Sequence, residues 1–219
     1  MRHILIFDTE TTGLLPKYFS NSDKNIMNNL SILPYIVQFS CILFDTKTMK
    51  IIDKIDSIIK IPDDIVVSED STKIHGITKQ DTLKGDYITN VLDKFDKLFK
   101  QCDLLVAHNL QFDSNILKIE YLRNNREFID LRNKEYYCTM QNSKDLCNLE
   151  ATNSLGTYIK FPKLDELHNK LFNIMPKNLH NSYYDIIISL RCFLMLTNNV
   201  DLFKYNKELK NIYETKIEK

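Results

Sequence analysis

Glycine and proline are scarce, 4 and 5 residues in a chain of 219, so neither a flexible linker nor a low-complexity tract can be assigned. An excess of charge is also missing, since 29 Lys and Arg offset 29 Asp and Glu. A wide surface that grips a long duplex nonspecifically would carry a basic excess. A small site that handles one or two phosphates through metal ions needs none. No apolar run spans a membrane: the most hydrophobic late stretch, IIISLRCFLML, is short and broken by Arg191. The first apolar run ends within a few residues at Asp8, too short to be expected to act as a secretory signal. No C-x-x-C pair occurs, and the 5 cysteines, Cys41, Cys102, Cys138, Cys147 and Cys192, are scattered. That favours reduced thiols packed as small hydrophobes over a disulfide framework or a zinc site. An intracellular, reducing location, cytoplasmic or nuclear and with no membrane partner, is expected.

What is present is a globular balance of 43% hydrophobic and 26% charged residues, at a length that fits one domain. Residues 3–7 read as a strand. Residues 35–45 and 49–60 read as two more, joined by the turn Asp45-Thr46-Lys47-Thr48, the second with Ile alternating with charged residues. Between the first two lies a polar, Asn-rich loop over 15–34, bounded by Pro16 and Pro34; loops of that length tend to be functional or mobile. Ile88, Val91, Leu92, Phe95, Leu98 and Phe99 recur at helical spacing. A short buried strand follows over 103–108, then a helix over 112–126 and a strand over EYYCTM (135–140). Helices are predicted over 143–149, 164–173 and 182–197, and a charged helix ends the chain. Strands that then alternate with helices predict an α/β domain, a mixed sheet covered by helices.

Two acids interrupt the first strand's apolar run in ILIFDTETTGL (4–14). Residues i and i+2 of a strand share a face, so Asp8 and Glu10 project together from its carboxyl end, where open α/β sheets place ligands. Two like charges on one face repel unless a cation lies between them. Dense hard oxygen ligands suit Mg²⁺ or Mn²⁺. A pair of solvated acids at a strand end is the plainer reading of D-x-E alone. Two distant segments add to it. In LVAHNLQFDSNIL (105–117) another apolar strand ends at His108-Asn109 and leads into a helix carrying Asp113, an acid that also suits a helix N-terminal dipole. In HNSYYDIIISL (180–190), His180 precedes the last strong helix and Asp185 sits about one turn into it.

Together these segments resemble the DEDDh branch of the DEDD superfamily of 3′–5′ exonucleases, which includes the proofreading subunits and domains of replicative DNA polymerases. FDTETTGL (7–14) matches the first motif of that family and VAHNLQFD (106–113) the second. His180 and Asp185 have the third motif's spacing, KIHGIT (73–78) matches a further common segment, and the order is right. The resemblance spans about residues 4–195, with a helical extension over about 200–219, and implies a single exonuclease domain of ribonuclease H-like fold.

By this resemblance Asp8, Glu10, Asp113 and Asp185 hold two divalent cations, Mg²⁺ or Mn²⁺, and His180 is the general base that takes the proton of the attacking water. The implied product is a nucleoside 5′-monophosphate released from a 3′ end. Thr11, Thr12, Gly13 and Leu14 would face the terminal nucleotide, with Gly13 also a turn residue needing unusual dihedrals. His75, Ile77, His108, Asn109 and Phe112 match positions lining its pocket; core packing is an equal reading of Phe112. Departures are Gln38 where many members have an acid, Ile186 in place of a common alanine, Cys138-Thr139 in place of an Asp-Thr pair, and the longer 15–34 loop. Glu10-Thr11-Thr12-Gly13 leans towards single-stranded or frayed DNA ends as substrate, against the Glu-Met-Thr-Gly typical of relatives that degrade short RNAs. An exoribonuclease is the nearer alternative, and a catalytically dead module binding nucleic acid or a polymerase is the more distant one. A polymerase partner and a homodimer both remain open. Lys204, Lys207 and Lys210 read as a solvated helix face or as contacts to a strand backbone.

Overall fold

The computed structural model describes residues 2–128, 131–176 and 179–215. A central sheet has the strand order β3-β2-β1-β4-β5, built from β1 (His3–Thr11), β2 (Ile36–Asp45), β3 (Lys50–Ile58), β4 (Leu104–Ala107) and β5 (Glu135–Cys138). The first three strands are antiparallel neighbours, and β4 and β5 run parallel to β1. This is the mixed α/β, ribonuclease H-like arrangement expected from the sequence.

Both faces of β1 are covered, which is why its apolar residues do not alternate with polar ones. Leu5 and Phe7 face a core shared with α4 (Ile88–Gln101) and α5 (Leu110–Arg123), where Phe39 meets Phe95 edge to face at 5.5 Å. Ile4 and Ile6 face a second core dominated by α9 (Ser182–Asn198). The chain after residue 200 belongs to that second core, since Leu202, Phe203, Leu209 and Tyr213 are buried in it. The last helix, α10, spans Lys207–Thr215; residues 216–219 of the expected C-terminal extension lie outside the described residues. Among the described residues, no helix is long and apolar enough to cross a membrane.

Several short elements depart from the expected pattern. The 15–34 loop contains α1 (Asp23–Asn29), and residues 68–82 form α2 (Glu69–His75) and α3 (Lys79–Thr82). Only Ile26 of α1 is buried and none of α2, so neither shows an apolar stripe; Ser22 and Ser68 start them as N-caps. The strand expected over 135–140 stops at Cys138, and Thr139–Asn142 turns into helix α6. The helix expected over 143–149 shortens to α7 (Lys144–Cys147), and a hairpin follows, β6 (Leu149–Asn153) with β7 (Gly156–Lys160). That hairpin is exposed or half-buried along its whole length, so its strands carry no hydrophobic alternation.

The charge that interrupts IIISLRCFLML is buried and paired. Arg191 forms a two-pronged pair with Asp201 at 2.8 and 2.9 Å, and the Phe172 and Phe203 rings lie 3.8 and 4.2 Å from its guanidinium. Its third nitrogen donates to His168 Nε2 at 2.9 Å, while His168 Nδ1–H donates to the Ile174 carbonyl at 2.8 Å. Burial lowers the His168 pKa to about 4, so the ring is neutral and can accept from Arg191. The cluster pins α8 (Leu164–Phe172) to α9. Arg191→Leu strands the Asp201 carboxylate and is expected to cost about 3 kcal/mol, read as a lower urea midpoint with unchanged slope.

Candidate active site

Three elements converge on the carboxyl end of β1. The two-residue period puts Asp8 and Glu10 on the α9 side of the sheet, and Asp185 enters from the first turn of α9. Oxygens of Asp8, Glu10 and Asp185 all lie within 4.8 Å of one another. Asp113 comes from the first turn of α5 on the opposite side. Thr9, between the two β1 acids, points that way and holds it: the Thr9 N–H and hydroxyl both donate to Asp113 Oδ1, at 3.1 and 2.8 Å. The motif reading of the sequence does not single out Thr9, yet the strand period itself aims it at α5.

The acids raise one another's pKa values. Asp8 stands well above the ordinary carboxylate value through burial, then through repulsion from Asp113, Asp185 and Glu10. Glu10 is pushed up to about 8 by burial and by the charges of Asp185 and Asp113. Burial raises Asp113 to about 7 against the two Thr9 hydrogen bonds. It raises Asp185 to about 7 against the His180 backbone N–H, which donates to Asp185 Oδ2 at 3.0 Å. The other oxygen of Asp185 is buried with no hydrogen-bond partner among the described residues. A buried carboxylate oxygen left bare is costly, and a divalent cation satisfies it. The donor set is all carboxylate oxygen, the kind hard ions such as Mg²⁺ and Mn²⁺ take.

His180 is exposed, with a left-handed φ of 73°, and its backbone contact to Asp185 ties it to the carboxylates. Its charge also reaches His75, whose pKa is lowered mainly by burial and further by His180. His75 Nδ1 accepts from the Ile77 N–H at 3.0 Å, so Nε2 carries the proton and donates to the Thr11 carbonyl at 3.1 Å. This braces the turn after the metal acids. That turn is braced again at Thr12, whose N–H donates to the Tyr35 carbonyl and whose hydroxyl accepts from the Tyr35 N–H.

The remaining expected contact residues divide. Leu14 is 84% exposed beside the acids, and Ile77 is buried next to His75. Gly13 adopts no positive φ, so the left-handed conformation that would require glycine is not what places it there; the Thr11 hydroxyl closes the turn by donating to the Gly13 carbonyl at 2.7 Å. Phe112 is half-buried and packs on the first core. Asn109 starts α5 in a left-handed conformation, φ 69°, which explains why that helix begins at Leu110. Both His108 ring nitrogens are engaged, Nδ1 with the Thr139 hydroxyl at 2.9 Å and Nε2 with the Pro162 carbonyl at 3.2 Å. Burial lowers the His108 pKa to about 4.

The carboxyl end of β1 thus gathers Asp8, Glu10 and Asp185, with Asp113 held beside them by Thr9, and the chain belongs to the RNase_T exonuclease family, whose model matches residues 5–193. Among individual relatives, it is 27% identical over 206 residues to the PolC-type DNA polymerase III of Mycoplasmopsis pulmonis (strain UAB CTIP), a match over 91% of this chain but only 12% of the polymerase. It resembles E. coli exonuclease I in complex with a dT13 oligonucleotide, with a TM-score of 0.65, 19% identity, and coverage of 97% of this chain and 46% of that one. Exonuclease X in complex with 5′ overhanging duplex DNA gives a TM-score of 0.55 at 19% identity, covering 94% of this chain and 99% of the other. At these identities the two structural likenesses are likenesses of fold. The chain spans less than half of exonuclease I and a small part of the polymerase.

Proposed function

We propose that this chain is a 3′–5′ exonuclease that uses two divalent cations, Mg²⁺ or Mn²⁺, to release nucleoside 5′-monophosphates from single-stranded or frayed DNA ends, in proofreading or repair. The observation that carries this reading is the close grouping of Asp8, Glu10 and Asp185, with a bare buried Asp185 oxygen and the charge of Asp113 acting on Asp8. When bound, the cations polarise the phosphodiester and lower the pKa of water. Asp8, Glu10, Asp113 and Asp185 would hold them. His180 accepts the water's proton at an imidazole nitrogen. The braced Thr11–Leu14 turn, with Ile77 behind it, seats the terminal nucleotide, and exposed Leu14 offers an apolar surface to its base.

DNA is favoured because the exonuclease I and exonuclease X structures hold DNA, and the polymerase relative supports a polymerase as partner. The same carboxylates would cut RNA, and the RNase_T family name keeps that reading as the second one.

The test is a time course on 5′-labelled DNA and RNA single strands with Mg²⁺ or Mn²⁺ and a chelator control. Ladders shortened from the 3′ end, faster on DNA and absent with chelator, are expected; intact strands under all conditions would overturn the reading. His180→Ala is expected to lower kcat by about 10²-fold or more with KM little changed, and full activity in that variant would remove His180 from its role.

A further inference from the structure

The first turn of α9, which carries Asp185, is fastened to the sheet by side chains that lie beside the β1 acids. Across the β1–β2 pairing Glu10 stands opposite Gln38 and Asp8 opposite Ser40, and across β2–β3 Ser40 stands opposite Asp56. Directly opposed residues share a face of the sheet. Gln38 and Ser40 are 3% and 0% exposed, and Ser182, the first residue of α9, is 0% exposed. Asn181, the N-cap of α9, makes no side-chain capping bond. The Ser182 N–H at the helix start instead donates to Gln38 Oε1 at 3.2 Å. Gln38 Nε2 donates to Asp56 Oδ1 at 3.0 Å, as does the Ser40 hydroxyl at 3.0 Å. Ser40 has thereby spent its one proton, so in the 2.7 Å contact between the two hydroxyls Ser182 is the donor.

Each link has one polarity. Residue 38 must accept from a backbone N–H and donate to a carboxylate, which an amide does and an ionised carboxylate cannot. We propose that Gln38 and Asp56 are positioning residues for the carboxylate site: they set the start of α9, and with it Asp185 and the His180 backbone that bonds to it, against Asp8 and Glu10. The amide at 38 is thus a requirement of this chain and not a neutral departure from the acid common in the family. Gln38→Glu sets two carboxylates against each other and adds a third charge beside Glu10. Exchanging the pair, Gln38→Glu with Asp56→Asn, restores one amide and one carboxylate. This inference rests on reading Asp8, Glu10, Asp113 and Asp185 as the metal-holding set.

The test compares the wild type, Gln38→Glu, Asp56→Asn and the double variant for kcat, KM and the Tm shift produced by Mn²⁺ without substrate, with Asp8→Asn as a reference. Each single variant is expected to lose about 10-fold to 100-fold in kcat, with KM within about twofold and a weaker Mn²⁺ shift; the double variant regains most of both. The proposal is overturned if Gln38→Glu matches the wild type in kcat and Mn²⁺ response. It is overturned equally if the folded double variant is no better than either single one. Should buried Gln38→Glu not fold, Asp56→Asn, altered at the exposed end of the network, and the double variant carry the same comparison. A wild type that neither binds Mn²⁺ nor cuts strands would fail the underlying exonuclease reading; an active wild type with inactive Asp8→Asn and unaffected network variants would fail this inference alone.

Discussion

Asp8→Asn is expected to abolish measurable turnover, a loss on the order of 10³-fold or more, while making the metal-free protein more stable. The two effects share one cause. Asp8 lies among Glu10, Asp113 and Asp185, and burial together with their charges disfavours its ionised form. The wild-type fold therefore bears that repulsion whenever the cage is empty and ionised. An amide of the same shape removes one charge from the cluster and leaves β1 and its pairing untouched. Relief of about 1 kcal/mol corresponds to a Tm rise of roughly 2–4 °C for a domain of this size. The cost falls on function: a cage short of one anion binds divalent cations more weakly, and the charge stabilisation they supply amounts to several kcal/mol, each 1.4 kcal/mol being about tenfold in rate. Thermal melts with chelator and with Mn²⁺, beside single-turnover cleavage, check both halves. Activity within tenfold of the wild type, or a Mn²⁺ shift of Tm as large as the wild type's, would show that Asp8 does not hold the cation.

The parts of the molecule legible in the sequence are those whose burial is one-sided or complete. β1, the β2–β3 hairpin, α4 and α9 show period 2, period 3.6 or unbroken apolar character because a core face selects each residue. Asp8 and Glu10 stand out because two acids ending a buried strand conflict with burial and require a partner. Asp113 and Asp185 stand out because each opens a helix beside an apolar run. The hairpin of β6 and β7 is not legible, since Glu150, Thr152, Thr157 and Tyr158 are exposed and no core selects them. Helices α1 and α2 are hidden for the same reason and are marked only by serine caps. The Gln38 network is hidden differently. Its residues lie on β2, β3 and α9, and what unites them is strand register, which emerges only when the strands pair. Gly13 misleads because glycine in a turn suggests a positive φ, which it does not adopt here; the Thr11 hydroxyl closes the turn instead.

Stability of the metal-free protein is expected to fall as pH rises from about 6.5 to 8, and the stabilisation by Mn²⁺ to grow from about pH 5 to 8. Glu10 is raised to about 8, Asp113 and Asp185 to about 7, and Asp8 also stands well above its ordinary value. In the unfolded chain these groups ionise near pH 4. Between those limits the folded state binds more protons than the unfolded one, so the free energy of unfolding decreases with pH. Below pH 4 both states are protonated and the groups contribute no difference; above about 7 for Asp113 and Asp185, and about 8 for Glu10, these groups are ionised in both states and their penalty is present. A tenfold change in an acid dissociation constant is worth about 1.4 kcal/mol, so the cluster amounts to several kcal/mol even after allowance for shared protons. Carboxylates held below their usual value, Asp45, Asp81 and Asp201, act with the opposite sign near pH 4; His108 and His168, lowered by burial to about 4, and His75, also lowered, act with the opposite sign up to about 6.5, so the carboxylates dominate only above that. Divalent cations reverse the slope, because binding displaces the protons the cluster would otherwise retain, so Mn²⁺ affinity rises with pH and its binding at pH 6 releases protons into the buffer. Melts at half-unit pH steps with chelator and with Mn²⁺, together with calorimetric titrations in two buffers of different ionisation enthalpy, measure both slopes. A metal-free Tm that is flat or rising from pH 6.5 to 8, or Mn²⁺ binding without proton release at pH 6, would mean that the four carboxylates do not share one site for the cations.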